Sequence, residues 1–198
     1  MNFDMLYNKI LENFDVSENF LDDILTTLEF RLNKNHYLYG NIAKLSKECS
    51  SVEQDIIYYE VENLIINIRS TLDNLLQLIN VLYKMRLSGV DISVKNIIKH
   101  KKMTAALKDI FILHTHPKNQ FWNFIYTTRN EVVHEICIKT QLPIMFDESY
   151  KNGKVLHNAV FINKAGDKED LLFFYKQCVK LMDELCESVL YVLSNNFR

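Results

Sequence analysis

The segment Arg129-Asn130-Glu131-Val132-Val133-His134 combines the side chains of this sequence that are best suited to chemistry. Arginine presents a permanently charged planar fork that suits phosphate, and histidine titrates near neutral pH and can move protons. Together they are the minimum set for cleavage of a phosphodiester by a neighbouring 2′-hydroxyl without metal. We take Arg129, Asn130 and His134 as candidate catalytic residues. The alternative is that Arg129 forms an ordinary ion pair and His134 is hydrogen-bonded within the core.

Helix geometry restricts how these side chains can meet. On an α-helix, Asn130 and His134 lie within about 40° of each other around the axis, whereas Arg129 and His134 lie about 140° apart. Asn130 can therefore orient the imidazole. Arg129 and His134 of one continuous helix do not easily converge on one phosphate, so a working site needs a distorted helix or a second copy of the chain. The spacing predicts a homodimer.

The composition indicates which elements position these side chains. Of 198 residues only four are Gly and two are Pro, and 48% are hydrophobic. Turn-forming residues this scarce do not supply the tight turns of a β-barrel or sandwich, and the chain is too apolar for a disordered protein. We therefore expect one mostly helical domain. The formal net charge of -2 argues against a protein that coats nucleic acid or anionic membranes without specificity.

Apolar residues at steps of three and four predict the helices, and capping residues predict their ends. The predicted helices are 4–13, Ser17 to about Asn35, a long helix capped by Ser51 and stopped at Gly89, Ser93 to just before Pro117, 119–138, and 168–195 capped by Asp167. Between 142 and 163 the pattern changes around Asn152-Gly153, which is the strongest short hairpin signal.

The predicted fold class is therefore all-α. It is an antiparallel up-and-down helical bundle with one long central helix and a small β-hairpin inserted near 142–163. Residues 1–198 form a single domain, in which extra N-terminal helices at about 4–47 precede a core bundle at about 51–196.

The motif R-N-x-x-x-H, near the end of an aromatic-rich late helix and preceded by a long helix that carries Arg69 to Asn80, resembles the HEPN superfamily of helical domains. The helical succession covers roughly 51–196, and the diagnostic motif is six residues long. The resemblance implies a four- or five-helix bundle that dimerises and brings two R-x(4–6)-H motifs into a shared cleft. It implies that Arg129 stabilises the phosphorane-like charge and that His134 acts as acid or base.

Many members of that superfamily are metal-independent endoribonucleases of toxin–antitoxin or phage-defence systems. The resemblance thus implies cleavage of single-stranded RNA, with an antitoxin or regulatory protein as a further partner. Other members have lost catalysis, which leaves a non-catalytic module for nucleotide or protein binding as the alternative, and a purely structural helical adaptor as a third reading. In members silenced by a nucleotidyltransferase, a Tyr stands two positions after the His. This chain has Ile136 there, so we do not expect that route of inactivation.

Two further groups receive supporting roles. Arg69 and Asp73 are one helical turn apart and can pair with each other, either in support of the motif or as a solvated i,i+4 pair. A basic run surrounds Lys99, Lys101 and Lys102, which we take as candidate RNA-binding residues, although such runs are often simply solvated. The run consists of Lys95, Lys99, His100, Lys101, Lys102 and Lys108.

No cofactor or metal is expected. The four cysteines, Cys49, Cys137, Cys178 and Cys186, form no C-x-x-C pair, and His114-Thr-His116 alternates faces on a helix without nearby acidic or Cys ligands. We read the aromatic residues at 121–126 as core rather than as a base-stacking platform. We expect no targeting segment, no membrane span and a cytoplasmic location with reduced thiols.

Overall fold

The structure is a computed structural model that describes residues 3–134, 142–152, 154–163 and 165–195, with the backbone alone for 128–134 and 151. Within these ranges the chain is mostly helical, with seven α-helices, one 3-10 turn and three strands. The elements are α1 (Phe3–Asn13), α2 (Glu18–Leu45), α3 (Ser51–Leu82), a 3-10 turn (Gly89–Asp91), α4 (Val94–Lys99), α5 (Ala105–His114), α6 (Gln120–His134), β1 (Ile144–Lys151), β2 (Lys154–Ile162), β3 (Lys168–Asp170) and α7 (Leu171–Asn195).

Helices α2 and α3 form an antiparallel pair at the centre of the protein. Asn41 of α2 contacts Glu60 of α3, and further back along α2 Asn35 contacts Asn67, so residue numbers fall along one helix as they rise along the other. Helix α7 packs against both, and α1, α5 and α6 pack against α7. Because α3 and α7 are buried along most of their apolar faces, burial of these side chains is the main stabilising contribution. The expectation of a mostly helical chain is confirmed.

Both ends of the long helix α3 differ from the prediction. Its N-cap is Ser50, not Ser51, because Ser50 and Glu53 form a reciprocal capping box, with the Ser50 amide 2.7 Å from the Glu53 carboxylate. The helix ends at Leu82, well before Gly89. Asn80 sets this end by reaching forward to Leu87, to whose carbonyl it donates at 3.0 Å and from whose amide it accepts at 3.1 Å.

Three other helix predictions need correction. Helix α2 extends ten residues beyond Asn35, because Leu38 and Ile42 continue its buried face. The segment that starts at Ser93 is two helices, α4 and α5, with a new N-cap at Thr104, whose hydroxyl accepts from the Leu107 amide. Helix α6 lies within the predicted 119–138, and residues 135–138 are outside the described residues.

The predicted hairpin is confirmed, and it belongs to a slightly larger sheet. Strands β1 and β2 pair antiparallel up to Lys151 and Lys154, and Asn152, with φ of 53°, lies in the turn between them. Gly153 lies outside the described residues. Strand β3, which we did not predict, pairs with the far end of β2. As a result Asp167 is not the helix cap. Asp170 accepts from the Phe173 amide at 2.7 Å, and α7 begins after it.

The sheet is attached to the helices at two places. The Phe161 ring of β2 stacks on the Phe174 ring of α7 at 3.7 Å between centroids, and Phe124 of α6 meets both rings edge-on. On the other side, Cys49 and His157 exchange backbone hydrogen bonds of 2.8 and 3.0 Å. The sheet therefore holds the α2–α3 connection next to the start of α7, and α6 is packed into the same aromatic cluster.

Candidate functional site

Helix α6 carries the candidate motif. It begins at Asn119, whose side chain accepts from the amides of Phe121 and Trp122, and it is anchored by buried Phe124 and Ile125. The backbone is helical without interruption from Gln120 to His134. One continuous helix therefore carries all three candidate catalytic residues, as expected.

The backbone of a single copy leaves two of these residues on different sides of α6. Over five residues of uninterrupted helix, Arg129 and His134 are about 140° apart around the axis, whereas Asn130 and His134 are about 40° apart. The side chains of Arg129, Asn130 and His134 lie outside the described residues. The structure shows the helix α6 that carries these residues and the contacts made by the turn of α6 that precedes them.

Arg69 and Asp73 form the predicted i,i+4 pair, with Arg69 Nε 3.3 Å from Asp73 Oδ1. The Arg69 guanidinium also lies over the ring of Tyr126 on α6, with its carbon 5.7 Å from the ring centroid. Tyr126 precedes Arg129 and Asn130 by three and four residues, which is one helical turn. The structure therefore brings Arg69 to the motif-bearing helix, immediately before the motif.

The guanidinium of Arg69 has unused donors. The side chain is only 17% exposed, and its Nε and Nη1 atoms are buried without a hydrogen-bond acceptor among the described residues. The contact with Asp73 is thus a close ion pair rather than an aligned hydrogen bond. A buried donor without an acceptor costs about 1–3 kcal/mol.

Tyr126 is the functional candidate that sequence reasoning missed. Trp122 and Phe124 are buried, as the core interpretation of 121–126 predicts, but Tyr126 is 49% exposed. Its ring centroid is 5.9 Å from that of Trp122, with an angle of 32° between the planes. Helical spacing did not mark it, because Tyr126 stands only about 40° around the helix from the buried Trp122.

The basic run is exposed at Lys99 and Lys101, and Lys102 has a structural contact. Lys102 Nζ donates at 2.6 Å to the carbonyl of Lys84, just beyond the C-terminal end of α3, and Lys84 Nζ is 2.6 Å from Asp15 Oδ2. Cations at that position complement the helix dipole. Lys102 is therefore partly accounted for by the fold, whereas Lys99 and Lys101 stay available to a ligand.

The basic surface is larger than the predicted run. Lys84 and Arg86, both exposed and both in the left-handed backbone region, precede it in the chain. Residues 84–109 contain seven Lys or Arg and two Asp, a net charge of +5 in a chain whose net charge is -2. The positive charge is thus concentrated in one segment, and the rest of the chain is acidic.

The Arg69–Tyr126 contact and this basic surface are separate in one copy. Arg69 lies thirteen residues before the end of α3 at Leu82, which corresponds to about 20 Å along the helix. At about 3.4 Å per stacked nucleotide, a single strand of about six nucleotides covers that distance. A nucleic acid that contacts both must therefore be an oligonucleotide and not a mononucleotide.

Metal and thiol chemistry have little support among the described residues. They contain no group of three or more His, Cys, Asp or Glu side chains placed to hold a metal ion. Cys178 and Cys186 are buried and free, and burial raises the pKa of both thiols, which disfavours the nucleophilic thiolate. Cys49 is also buried, and Cys137 lies outside the described residues.

A cavity of about 210 Å³ lies between α2 and α7, away from the motif. Its walls include Glu29, His36, Asp183 and Glu187, and His36 Nε2 is 3.0 Å from Asp183 Oδ2. Burial raises the pKa of Asp183, and the neighbouring His36 opposes this rise. The sequence pattern did not indicate this cavity, because its walls come from helices that are far apart in the chain.

Comparison of the chain with protein-family models, with curated proteins and with solved structures finds no match. Among the described helices, none combines the length and apolar composition needed to cross a membrane.

Proposed function

We propose that the protein is a metal-independent endoribonuclease of HEPN type that cleaves single-stranded RNA as a homodimer, in the cytoplasm, within a toxin–antitoxin or phage-defence system. The observation that carries the proposal is the R-N-x-x-x-H motif on the uninterrupted helix α6, one turn after the Arg69–Tyr126 contact. Arginine and histidine supply charge stabilisation and proton transfer, which are the two requirements of this reaction.

In the proposed reaction the RNA provides its own nucleophile. The 2′-hydroxyl attacks the adjacent phosphorus, the bond from the 2′-oxygen to phosphorus forms, and the bond from phosphorus to the 5′-oxygen breaks. His134 acts as base or acid: it takes the proton from the 2′-hydroxyl while water protonates the leaving 5′-oxygen, or it protonates the 5′-oxygen while water takes the 2′-hydroxyl proton. Asn130 orients the imidazole. Arg129 stabilises the charge that builds on the phosphorane oxygens. The products are a 2′,3′-cyclic phosphate and a 5′-hydroxyl.

The proposed dimer explains how Arg129 and His134 can act on one phosphate although they lie on different sides of α6. Because the helix is uninterrupted, Arg129 of one copy would meet His134 of the other across a two-fold axis. The outer face of α3 supports a helix partner, since it carries exposed residues at alternating steps of four and three, the spacing of a coiled-coil seam. These residues are Val52, Ile56, Tyr59, Asn63 and Ile66.

The first test is RNA cleavage by the purified protein in EDTA, with detection of cyclic-phosphate ends. We expect cleavage by the wild type and its loss in Arg129→Ala and in His134→Ala, with a smaller reduction in Asn130→Ala. Matched controls are Arg198→Ala and His114→Ala, which remove the same side-chain types outside the motif and outside the basic segment 84–109. Unchanged cleavage in both motif variants would refute the nuclease.

A mixing experiment tests the shared site. If each site takes Arg129 from one copy and His134 from the other, a heterodimer of Arg129→Ala with His134→Ala contains one intact site. Exchange between the two inactive variants should then restore about a quarter of wild-type activity, since half of the dimers are mixed and each has one of two sites. No recovery, with exchange confirmed by mass, would show that a site draws both groups from one copy.

The second candidate function is a non-catalytic module for nucleotide or protein binding. It is favoured by the separation of about 140° between Arg129 and His134 within one copy, since that geometry alone gives no complete site. This candidate predicts oligonucleotide binding without cleavage in EDTA or with added metal. It also predicts that the motif variants bind as the wild type does.

A further inference from the structure

The ring of Tyr126 is exposed but held in place. About half of the side chain is open to solvent, although α6 is otherwise anchored in the core around it. The Arg69 guanidinium lies over the ring at 5.7 Å, and the Trp122 ring is 5.9 Å away. Asp73 in turn contacts Arg69 at 3.3 Å. The tyrosine thus has a fixed orientation that is set by α3, with ring surface left available.

Exposed aromatic residues are common, so exposure alone does not indicate a site. Tyr191 of α7, for example, is more exposed than Tyr126. Tyr126 differs because a largely buried cation, the Arg69 guanidinium, lies over its ring and holds it in place. Tyr126 also stands three residues, about 4.5 Å along the axis, before Arg129 on the same helix. A half-exposed aromatic ring and a phosphate-binding candidate therefore lie within one turn of α6.

We propose that Tyr126, positioned by Arg69, is a nucleobase-stacking residue, and that it holds the base next to the phosphate at Arg129. The proposal rests on the proposed function, because that function makes single-stranded RNA the occupant. Every base has a π face, so stacking accepts any of them and gives affinity with little sequence preference. Arg69 orients the ring through its cation–π contact, and its positive charge favours the phosphates of a strand stacked on Tyr126.

The protein contains its own reporter for this site. Trp122 is the only tryptophan in the chain, and its ring neighbours that of Tyr126. We would titrate the full-length protein with a single-stranded DNA oligonucleotide, which lacks the 2′-hydroxyl and so escapes cleavage by the proposed mechanism. The readouts are the fluorescence of Trp122 and the anisotropy of a label on the oligonucleotide. An abasic oligonucleotide of the same length, with the same phosphates and no bases, separates stacking from charge.

We expect a saturable change in Trp122 emission with the normal oligonucleotide and weaker binding of the abasic one. Tyr126→Ala and Tyr126→Leu should weaken binding of the normal oligonucleotide by about 5- to 100-fold, the range for loss of one stacked base. Tyr126→Phe keeps the ring and should bind as the wild type does. Tyr191→Ala is the matched control, and it should also bind normally. Because Tyr126 is half-exposed, its replacement should leave the fold intact, which circular dichroism checks.

Three results would overturn the proposal. They are wild-type affinity in both Tyr126→Ala and Tyr126→Leu, equal affinity of the wild type for normal and abasic oligonucleotides, and no binding of the normal oligonucleotide at all. These outcomes are separable from failure of the nuclease. Binding that depends on Tyr126 without RNA cleavage would refute the enzyme and keep the stacking residue. RNA cleavage with an unchanged KM in Tyr126→Ala would keep the enzyme and refute the stacking role of Tyr126.

Discussion

Helix α3 makes polar contacts on two sides, and the two differ in how completely their hydrogen bonds are satisfied. Towards α2, the buried Asn67 amide donates to Asn35 Oδ1 at 2.7 Å and to the Arg31 carbonyl at 2.8 Å, and Arg31 Nη1 donates back at 3.3 Å. Towards α6, Arg69 has one ion pair, with Asp73, and two buried nitrogens without acceptors among the described residues.

We call the first set, Arg31, Asn35, Asn67 and Thr71, the α2–α3 polar cluster. It has one gap, since Arg31 Nε lacks an acceptor, but its buried amides are paired with each other. Paired buried polar groups specify one register between two helices, because any slip leaves donors without acceptors. Donors that lack acceptors even in the folded protein do not specify a register. The comparison teaches that the first contact fixes the register of α2 and α3, whereas the second holds a charge whose hydrogen bonds the described residues do not complete.

The largest expected effect tests the α2–α3 polar cluster. Asn67→Ala removes two donated bonds and leaves Asn35, Arg31 and a cavity without compensation, so we expect a loss of about 3 kcal/mol in the free energy of unfolding. Urea unfolding measures it. Asn33→Ala, at an exposed position of α2, should change stability by no more than about 0.5 kcal/mol. A loss below about 1 kcal/mol in Asn67→Ala would remove the distinction between the two contacts.

A smaller effect is expected at the α3–α6 contact. Arg69→Met keeps an apolar stem and removes the unsatisfied donors, which offsets the loss of the cation–π contact and the ion pair. We expect a change of less than about 1 kcal/mol in the same unfolding experiment, together with weaker oligonucleotide binding. A destabilisation above about 2 kcal/mol would make Arg69 a structural residue, comparable to Asn67.

The smallest effect concerns a third polar contact, between α2 and α7. Because the pKa of Asp183 is raised in the folded protein, the folded state binds a proton more readily than the unfolded state, and this carboxyl lowers stability as the pH rises through the raised pKa. Asp183→Asn should therefore raise the melting temperature slightly at neutral pH, and the difference should vanish in acid.

Asp23→Asn is the control for this prediction. It removes an exposed carboxyl of α2 that is not among the charges acting on Asp183, and it should leave the pH dependence unchanged. A lower melting temperature of Asp183→Asn at neutral pH would show that the bond to His36 outweighs the cost of burying Asp183. The α2–α7 contact would then resemble the α2–α3 polar cluster.

Local patterns predicted the elements that depend on local interactions. Apolar spacing located the helices, and Asn152-Gly153 located the hairpin turn. Two features that the prediction missed depend on more distant groups. The end of α3 depends on Asn80 reaching Leu87 seven residues ahead, and strand β3 exists because β2 offers it a partner, although Lys168–Asp170 has no β propensity of its own.

In the candidate site, too, the local contact was predicted from the sequence and the contact between helices was not. The Arg69–Asp73 pair follows from a spacing of four on a helix and was predicted. The contact of Arg69 with Tyr126 depends on how α3 packs against α6, which no spacing within either helix defines. The roles of Arg129, Asn130 and His134 stay predictions that the cleavage experiments test.

The backbone bridge between Cys49 and His157 bears on the order of folding. It joins residues 108 positions apart, whereas the contacts between α2 and α3 join residues separated by 19 to 36 positions. Closing a long loop costs more entropy than closing a short one, so the α2–α3 hairpin should form first and the sheet should dock late. In pulsed hydrogen exchange during refolding, the amides of Cys49 and His157 should gain protection after those in the middle of α2 and α3.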